Sequence, residues 1–117
     1  MLYNQNREFD MPLQIKKLLR ELKKRLKEIY GSQLKAVYLF GSYARGEAHP
    51  PDSDIDVMIV LNGEFNNWEV EQRSSELVAS LCLENEVVIS RIFVSDTEYA
   101  HSKMPLLINV RQEGIAV

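Results

Sequence analysis

Two short apolar segments on either side of a glycine-serine turn constrain the fold of this chain most strongly. The first, Leu34–Phe40, stops at Gly41-Ser42, and the second, residues 54–61, begins with two aspartates in the order Asp-Ile-Asp. Both have the length and the apolar content typical of strands. Because strands that are close in sequence usually pair, the turn and the aspartates are expected at the same edge of one sheet.

The rest of the chain alternates helical and strand patterns. Apolar residues recur at three- and four-residue steps from Pro12 until Gly31, which predicts an amphipathic helix with a lysine- and arginine-rich outer face. The other predicted elements are a helix over about residues 67–83, a strand over residues 86–94 and short helices over residues 95–100 and 105–112. Residues 1–11 show no period and are expected to form a loose arm. The pattern predicts one α/β domain, residues 1–117, with helices packed on a small mixed sheet.

Composition excludes several classes of protein. The net charge of −3 over 117 residues argues against a protein whose main role is to coat nucleic acid. The basic face of the first helix is open to two interpretations, a solvated surface or a site for an acidic partner or RNA backbone. The single cysteine, Cys82, cannot form an internal disulfide or a thiolate zinc site. No segment has the length and apolarity of a membrane span or a signal core, so a cytoplasmic protein is expected.

The two aspartates, Asp54 and Asp56, form a candidate metal site. Residues two apart on a strand point to the same face, with Cα atoms about 6.5–7 Å apart, so the two carboxylates are presented together. Adjacent carboxylates repel unless a cation lies between them, and oxygen-only ligation of this kind suits Mg²⁺. Two such ions can hold the attacking and leaving oxygens of an in-line displacement.

The turn at Gly41 and Ser42 is a candidate phosphate site. Glycine lets the backbone approach an anion closely, and the Ser42 hydroxyl and the Arg45 guanidinium can bind phosphate oxygens. A structural alternative is a capping serine followed by two exposed strand carboxylates. A third metal ligand is expected from Glu86 at the start of the next predicted strand, with Glu84 as the alternative.

These motifs resemble the signature of the nucleotidyltransferase superfamily that includes DNA polymerase beta and the kanamycin nucleotidyltransferases. The similarity lies in Gly41-Ser42, followed after eleven residues by Asp54-Ile55-Asp56. The short length and the sequence around the glycine-serine turn resemble the minimal nucleotidyltransferase (MNT) branch. The resemblance implies a polymerase beta palm-like fold and covers nearly the whole chain.

The resemblance also implies an activity, which is Mg²⁺-dependent transfer of a nucleoside monophosphate, usually AMP from ATP, to a hydroxyl group. In this scheme Gly41 and Ser42 hold the triphosphate, while Asp54, Asp56 and Glu86 hold two Mg²⁺ ions. The family generally has an aspartate where Glu86 stands, so the geometry of that third ligand is altered. Members of the MNT branch are commonly encoded beside a HEPN-domain ribonuclease toxin, and they act as its antitoxin by adding AMP to a tyrosine of the toxin.

Three functions therefore compete. The first is a protein adenylyltransferase that modifies a HEPN toxin. The second is a non-catalytic antitoxin that covers its partner's active site, and the third is a nucleotidyltransferase acting on a small molecule or an RNA end. The absence of room for an acceptor-binding domain favours a separate protein partner. The sequence decides neither the nucleobase nor whether the chain forms a homo-oligomer.

Overall fold

Helices and strands alternate over the residues that the computed structural model describes, 11–49 and 52–117. The elements are α1 (Leu13–Tyr30), a 3-10 turn (Gly31–Gln33), β1 (Leu34–Phe40), α2 (Ser42–Arg45), β2 (Ile55–Leu61), α3 (Asn67–Asn85), β3 (Ile89–Ser95), α4 (Asp96–His101), α5 (Pro105–Glu113) and β4 (Ile115–Ala116). The strands form one sheet in the order β3-β2-β1-β4. The predicted fold class, helices packed on a small mixed sheet, is confirmed.

The register of the sheet determines what lies beside the aspartates. β1 runs antiparallel to β2 and pairs Phe40 with Asp56. β3 runs parallel to β2 and pairs Ser90 with the same aspartate. Because directly paired residues point to the same face of a sheet, the Asp56 side chain lies between those of Phe40 and Ser90.

One face of the sheet carries the main core. α1 and α3 cover it with apolar stripes in which Leu22, Leu26 and Leu81 are 5% exposed or less. The opposite face carries a smaller cluster that α4 and α5 cover only partly, built from Met58 and Val60 of β2 and from Leu107 and Val110 of α5 together with Val94. The aspartates belong to this second face, beyond the region that the two short helices cover.

Several sequence-based boundaries match the structure closely. β1 has the predicted limits, Gly31 follows the last residue of α1 as its C-cap, and the Asn66 side chain caps α3 by accepting a hydrogen bond from the Glu69 amide at 3.1 Å. The predicted stripe of α3, from Val70 to Leu81, is buried.

Two predictions need correction, and one strand was not predicted. The third strand begins at Ile89 rather than at residue 86, because α3 extends to Asn85 and Glu86 forms its C-cap. Gly114 is the C-cap that ends α5, as the sequence indicates, while the short strand β4 (Ile115–Ala116) against β1 was not predicted. The predicted loose arm lies mostly outside the described residues, but its last residue, Met11, is buried in the core.

Within residues 11–49 and 52–117, none of the helices combines the length and the apolar character that a bilayer crossing requires.

Candidate active site

Gly41 allows the chain to turn directly against the Asp56 carboxylate. Its φ of 75° and ψ of −155° lie in a region that is essentially restricted to glycine. A Cβ atom at this position would overlap Oδ2 of Asp56, so the carboxylate occupies the space that any larger residue would need. The close approach explains why a glycine follows β1, and it fixes the position of one acidic side chain relative to the turn.

The two aspartates lie at the start of β2 in different environments. Asp54 immediately precedes the strand and is exposed, whereas Asp56 is half-buried. Burial is the main cause that raises the pKa of Asp56, and the nearby Asp54 charge raises it further, while Arg45 acts in the opposite direction. The Asp54 charge therefore acts on the Asp56 carboxyl, and a cation shared by the two side chains stays a prediction.

Ser42 and Arg45 stand on the other side of the Gly41 turn. Ser42 is half-buried and begins the single helical turn α2, which ends at Arg45. The Arg45 Nε atom donates to Oε1 of Glu47 at 2.6 Å, and both side chains are largely exposed. Since Arg45 also lowers the pKa of Asp56, its positive charge lies near the carboxylate pair. The structure therefore brings Gly41, Ser42, Arg45 and the aspartates together at one edge of the sheet.

Glu86 does not complete this cluster. It is exposed and adopts a left-handed conformation, φ 53° and ψ 46°, as the C-cap of α3. Among the residues that the structure describes, no three His, Cys, Asp or Glu side chains come close enough together to hold a metal ion. The structure does not gather Glu86, or its alternative Glu84, into one three-carboxylate cluster with the aspartates, and Glu86 as a metal ligand stays a prediction.

The remaining pair of aspartates still fits Mg²⁺. This ion is usually held by one or two carboxylates together with waters and substrate phosphates, rather than by a complete shell of protein ligands. The half-buried Asp56 carboxylate packs against the Gly41 backbone and has a raised pKa, so a bound cation would stabilise its ionised form. Asp54 and Asp56 are the residues that would hold it.

A row of β3 side chains lies beside the aspartates and was not expected from the sequence. Ser90 pairs with Asp56 and is exposed, and the apolar Val88 and Ile92 flank it at 57% and 37% exposure. The available signal was the alternation of this strand, in which Ile89 and Phe93 are buried on the opposite face. The register with β2 was not readable from the sequence, so the row could not be assigned to the site.

Tyr43, which directly follows Ser42, packs in the core. Its side chain is 5% exposed, and burial raises the pKa of its hydroxyl. Its role is to anchor α2, and hence the turn that precedes it, onto the main core.

Comparison with known proteins agrees with this architecture. The family model described as "Nucleotidyltransferase domain" matches residues 19–110, which include the turn, both aspartates and β3. The chain belongs to this nucleotidyltransferase family. It is accordingly an enzyme of the nucleotidyltransferase class.

A curated relative supports the same assignment. The Methanocaldococcus jannaschii protein named "Putative protein adenylyltransferase MJ0141" is 32% identical over 85 residues, which cover 73% of this chain and 84% of that protein. The match extends well beyond the short motifs around the turn and the aspartates. The shared sequence therefore includes the framework that positions them.

Solved structures show the same fold at lower identity. A structure described as a "putative nucleotidyltransferase" from Sulfolobus solfataricus has a TM-score of 0.61 at 24% identity, covering 88% of this chain and 80% of that one. A toxin-antitoxin structure with AMP-PNP has a TM-score of 0.56 at 22% identity, with coverages of 82% and 69%. A tri-AMPylated Shewanella oneidensis HEPN toxin in complex with its MNT antitoxin matches with a TM-score of 0.51 at 20% identity, with coverages of 89% and 71%.

Proposed function

We propose that this nucleotidyltransferase transfers AMP from ATP to a hydroxyl group of a partner protein, and that the partner is a HEPN-domain toxin. The observation that carries the proposal is the packing of the Asp56 carboxylate against the Gly41 turn, with Asp54 beside it. The name of the Methanocaldococcus jannaschii relative supports a protein acceptor. The AMP-PNP in one similar structure supports an adenine nucleotide, and the tri-AMPylated HEPN toxin in another supports a toxin as the partner.

The roles of the residues follow from their positions. The Gly41 backbone and the Ser42 hydroxyl bind the triphosphate, and Arg45 contributes positive charge on the same side of the site. Asp54 and Asp56 hold Mg²⁺, which when bound neutralises phosphate charge and polarises the bond to the leaving group. The predicted role of Glu86 as a further ligand is not part of this proposal, because Glu86 caps α3 away from the aspartates.

The reaction is a displacement at phosphorus. The acceptor oxygen forms a bond to the α-phosphorus of ATP while the bond from that phosphorus to the bridging oxygen of pyrophosphate breaks. Pyrophosphate leaves, and the acceptor proton passes to solvent. Since the half-buried Asp56 carboxylate is held in place by the turn, the chain contributes mainly positioning and electrostatic stabilisation.

The test is coexpression of the chain with the protein encoded by the neighbouring gene, followed by intact-mass measurement of that protein. We expect adenylate-sized mass increments that disappear with Asp56→Asn. The matched control is Asp52→Asn, because Asp52 is an exposed carboxylate two residues before Asp54 and has no role in the proposed site. Tight association of the two proteins without any mass increment from the native chain would contradict the proposal.

A second function is favoured by one specific observation. The described residues lack a third carboxylate near Asp54 and Asp56, which is consistent with an antitoxin that neutralises its partner by binding alone. Under this alternative, a double variant with Asp54→Ala and Asp56→Ala protects cells from the partner as well as the native chain does. Loss of protection in the double variant, with complex formation retained, favours the enzymatic function.

A further inference from the structure

The outer edge of β3 presents backbone hydrogen-bonding groups, because β3 is an end strand of the sheet that the described residues form. The Ile55 amide donates to the Val88 carbonyl at 2.8 Å, which shows which groups of this strand face β2. In a parallel pair alternate residues bond to the neighbouring strand, so Val88 and Ser90 turn their backbone groups toward β2. The amides and carbonyls of Ile89 and Arg91 therefore point outward, away from β2.

The exposed side chains along this edge form a symmetric pattern. Val88 and Ile92 are 57% and 37% exposed, and they stand two residues to either side of the exposed Ser90. All three lie on the face that carries Asp56, since Ser90 pairs with Asp56 and side chains alternate along a strand. The order apolar, small polar, apolar is the same in both directions. A strand of this kind is complementary to a second copy of itself that runs antiparallel.

The charged residue of β3, Arg91, is held on the opposite face. Its guanidinium donates to Ser74 Oγ at 2.6 Å and to Ser75 Oγ at 3.1 Å. It also donates to the Glu71 carbonyl at 3.0 Å. These bonds connect β3 to α3, so the strand is fixed in position and the exposed row beside it carries no charge.

The side chains favour one of three registers for two antiparallel copies of this edge, with a two-fold axis at Ser90, Arg91 or Ile92. An axis at Arg91 sets two guanidinium groups directly opposite each other, which is unfavourable. An axis at Ile92 sets the apolar Val88 opposite Asp96 of the second copy. An axis at Ser90 sets Val88 opposite Ile92 of the second copy, and the symmetry repeats this apolar pair, so all the exposed apolar side chains of the two rows are covered.

We propose that the chain forms a two-fold dimer in which β3 pairs antiparallel with β3 of a second copy, with the axis at Ser90. Ile89 of each copy then faces Arg91 of the other, and these are residues whose backbone groups point outward, so the donors and acceptors of both copies are bonded. Two sheets of four strands join into one sheet of eight. The two-fold symmetry uses the β3 edge of both copies, so the contact closes at two chains.

The dimer sets two candidate active sites side by side. Neighbouring strands are about 4.8 Å apart, and the two Ser90 Cα atoms of the central pair are about 4.5 Å apart, so the two Asp56 Cα atoms are about 14 Å apart on the same face. This inference does not depend on the proposed function, since the pairing follows from the edge of the sheet alone.

The first test is cysteine cross-linking, which reads the register directly. The central Ser90 pair has the Cα separation of a disulfide, so Ser90→Cys in a Cys82→Ser background is expected to form a covalent dimer on mild oxidation. Ile92→Cys in the same background is the matched control, because its two copies are about 13 Å apart along the strands and should not link. A mixture of Val88→Cys and Ile92→Cys chains should link. Linking through Ile92→Cys alone, or equally through both single variants, overturns the proposal.

The second test measures the mass in solution by sedimentation velocity. We expect the native protein to form a species of twice 13.5 kDa, and Ile92→Glu to weaken the dimer about tenfold, because both apolar pairs are lost. Leu13→Glu is the control, since Leu13 is an exposed apolar residue of α1 and outside the edge, and circular dichroism checks that each variant is folded. A native chain that stays monomeric at millimolar concentration, or an unweakened dimer in Ile92→Glu, overturns the proposal. Linking of Ser90→Cys to the neighbouring gene product instead of to a second copy assigns the edge to that partner and also overturns the dimer.

Discussion

Replacing Gly41 by alanine tests whether the turn holds the Asp56 carboxylate, the proposed metal ligand, in place. The added Cβ atom meets Oδ2 of Asp56, with the Cγ atom of the same side chain at 3.3 Å, so the carboxyl group has to move. The chain offers a matched control in Gly46, which also has a positive φ, 71°, but has no atom within 4 Å of an added Cβ. Both substitutions remove a glycine near the site, and only one displaces Asp56.

We expect Gly41→Ala and Gly46→Ala to lower the stability by similar amounts but to differ in their effect on AMP transfer. The Gly41 conformation costs a non-glycine residue about 1–3 kcal/mol, and the left-handed conformation of Gly46 costs about 1–2 kcal/mol. In a domain of this size, each 1 kcal/mol lowers Tm by about 4 °C, so both variants remain folded at low temperature if the native stability is ordinary. A shift of a catalytic group by about 1 Å costs about 100-fold in rate. We therefore expect Gly41→Ala to lose at least that factor in AMP transfer and Gly46→Ala to lose little.

The assay uses α-labelled ATP, Mg²⁺ and the neighbouring gene product, at a temperature at which circular dichroism shows both variants folded. Calorimetric titration of Mn²⁺ gives a second readout, since displacement of Asp56 weakens metal binding even without turnover. Equal losses of transfer in the two variants would refute the reasoning, because backbone strain alone would then account for the effect. An unchanged Mn²⁺ affinity in Gly41→Ala would refute the role of the turn in holding Asp56.

Three further predictions concern the rest of the fold. Burial, together with the hydrogen bond to Tyr38, raises the pKa of Tyr99 to about 12. The protonated Tyr99 hydroxyl therefore contributes to the free energy of unfolding below pH 10, and this contribution is lost as the pH rises through about 12. Urea unfolding at pH 9 and at pH 11.5 should show the loss, and the loss should be smaller in Tyr38→Phe. Tyr30→Phe removes a buried hydroxyl that bonds to the Val70 carbonyl and to a serine, and we expect a loss of about 1–2 kcal/mol in urea unfolding, whereas an unchanged midpoint would contradict the role of these bonds. Leu26→Ala creates a cavity at a fully buried position and should cost about 2–5 kcal/mol, against less than about 0.5 kcal/mol for the exposed Leu13→Ala; similar costs would mean that α1 packs differently.

Elements with a strong local signal could be predicted from the sequence. The apolar stripe of α1 needs only the period of a helix, and Gly31 marks its end because it has a positive φ of 56°. The side chain of Asn66 caps α3, which the residue type alone suggests. The aspartates are two apart at the start of a buried strand, so their shared face followed from the alternation of the strand.

The errors at β3 have a different physical origin. Glu86 occupies a left-handed position that glycine or asparagine usually fills, so the residue type gave no sign that α3 ends there. The following Val87 and Val88 have high strand propensity, which extended the predicted strand backward over the cap. The position of Ser90 beside Asp56 depends on the pairing of β2 with β3, a contact between distant parts of the sequence that no local pattern records.

Because Arg91 points toward α3, the end strand β3 lacks an outward charge, which is a common feature that prevents pairing with other chains. Edge strands usually carry outward charges or prolines that prevent them from pairing with other chains. β3 is an end strand in the sheet order of the described residues, and its one charge is bound to α3. The protein should therefore self-associate as its concentration rises, and Ile92→Lys should reduce that association.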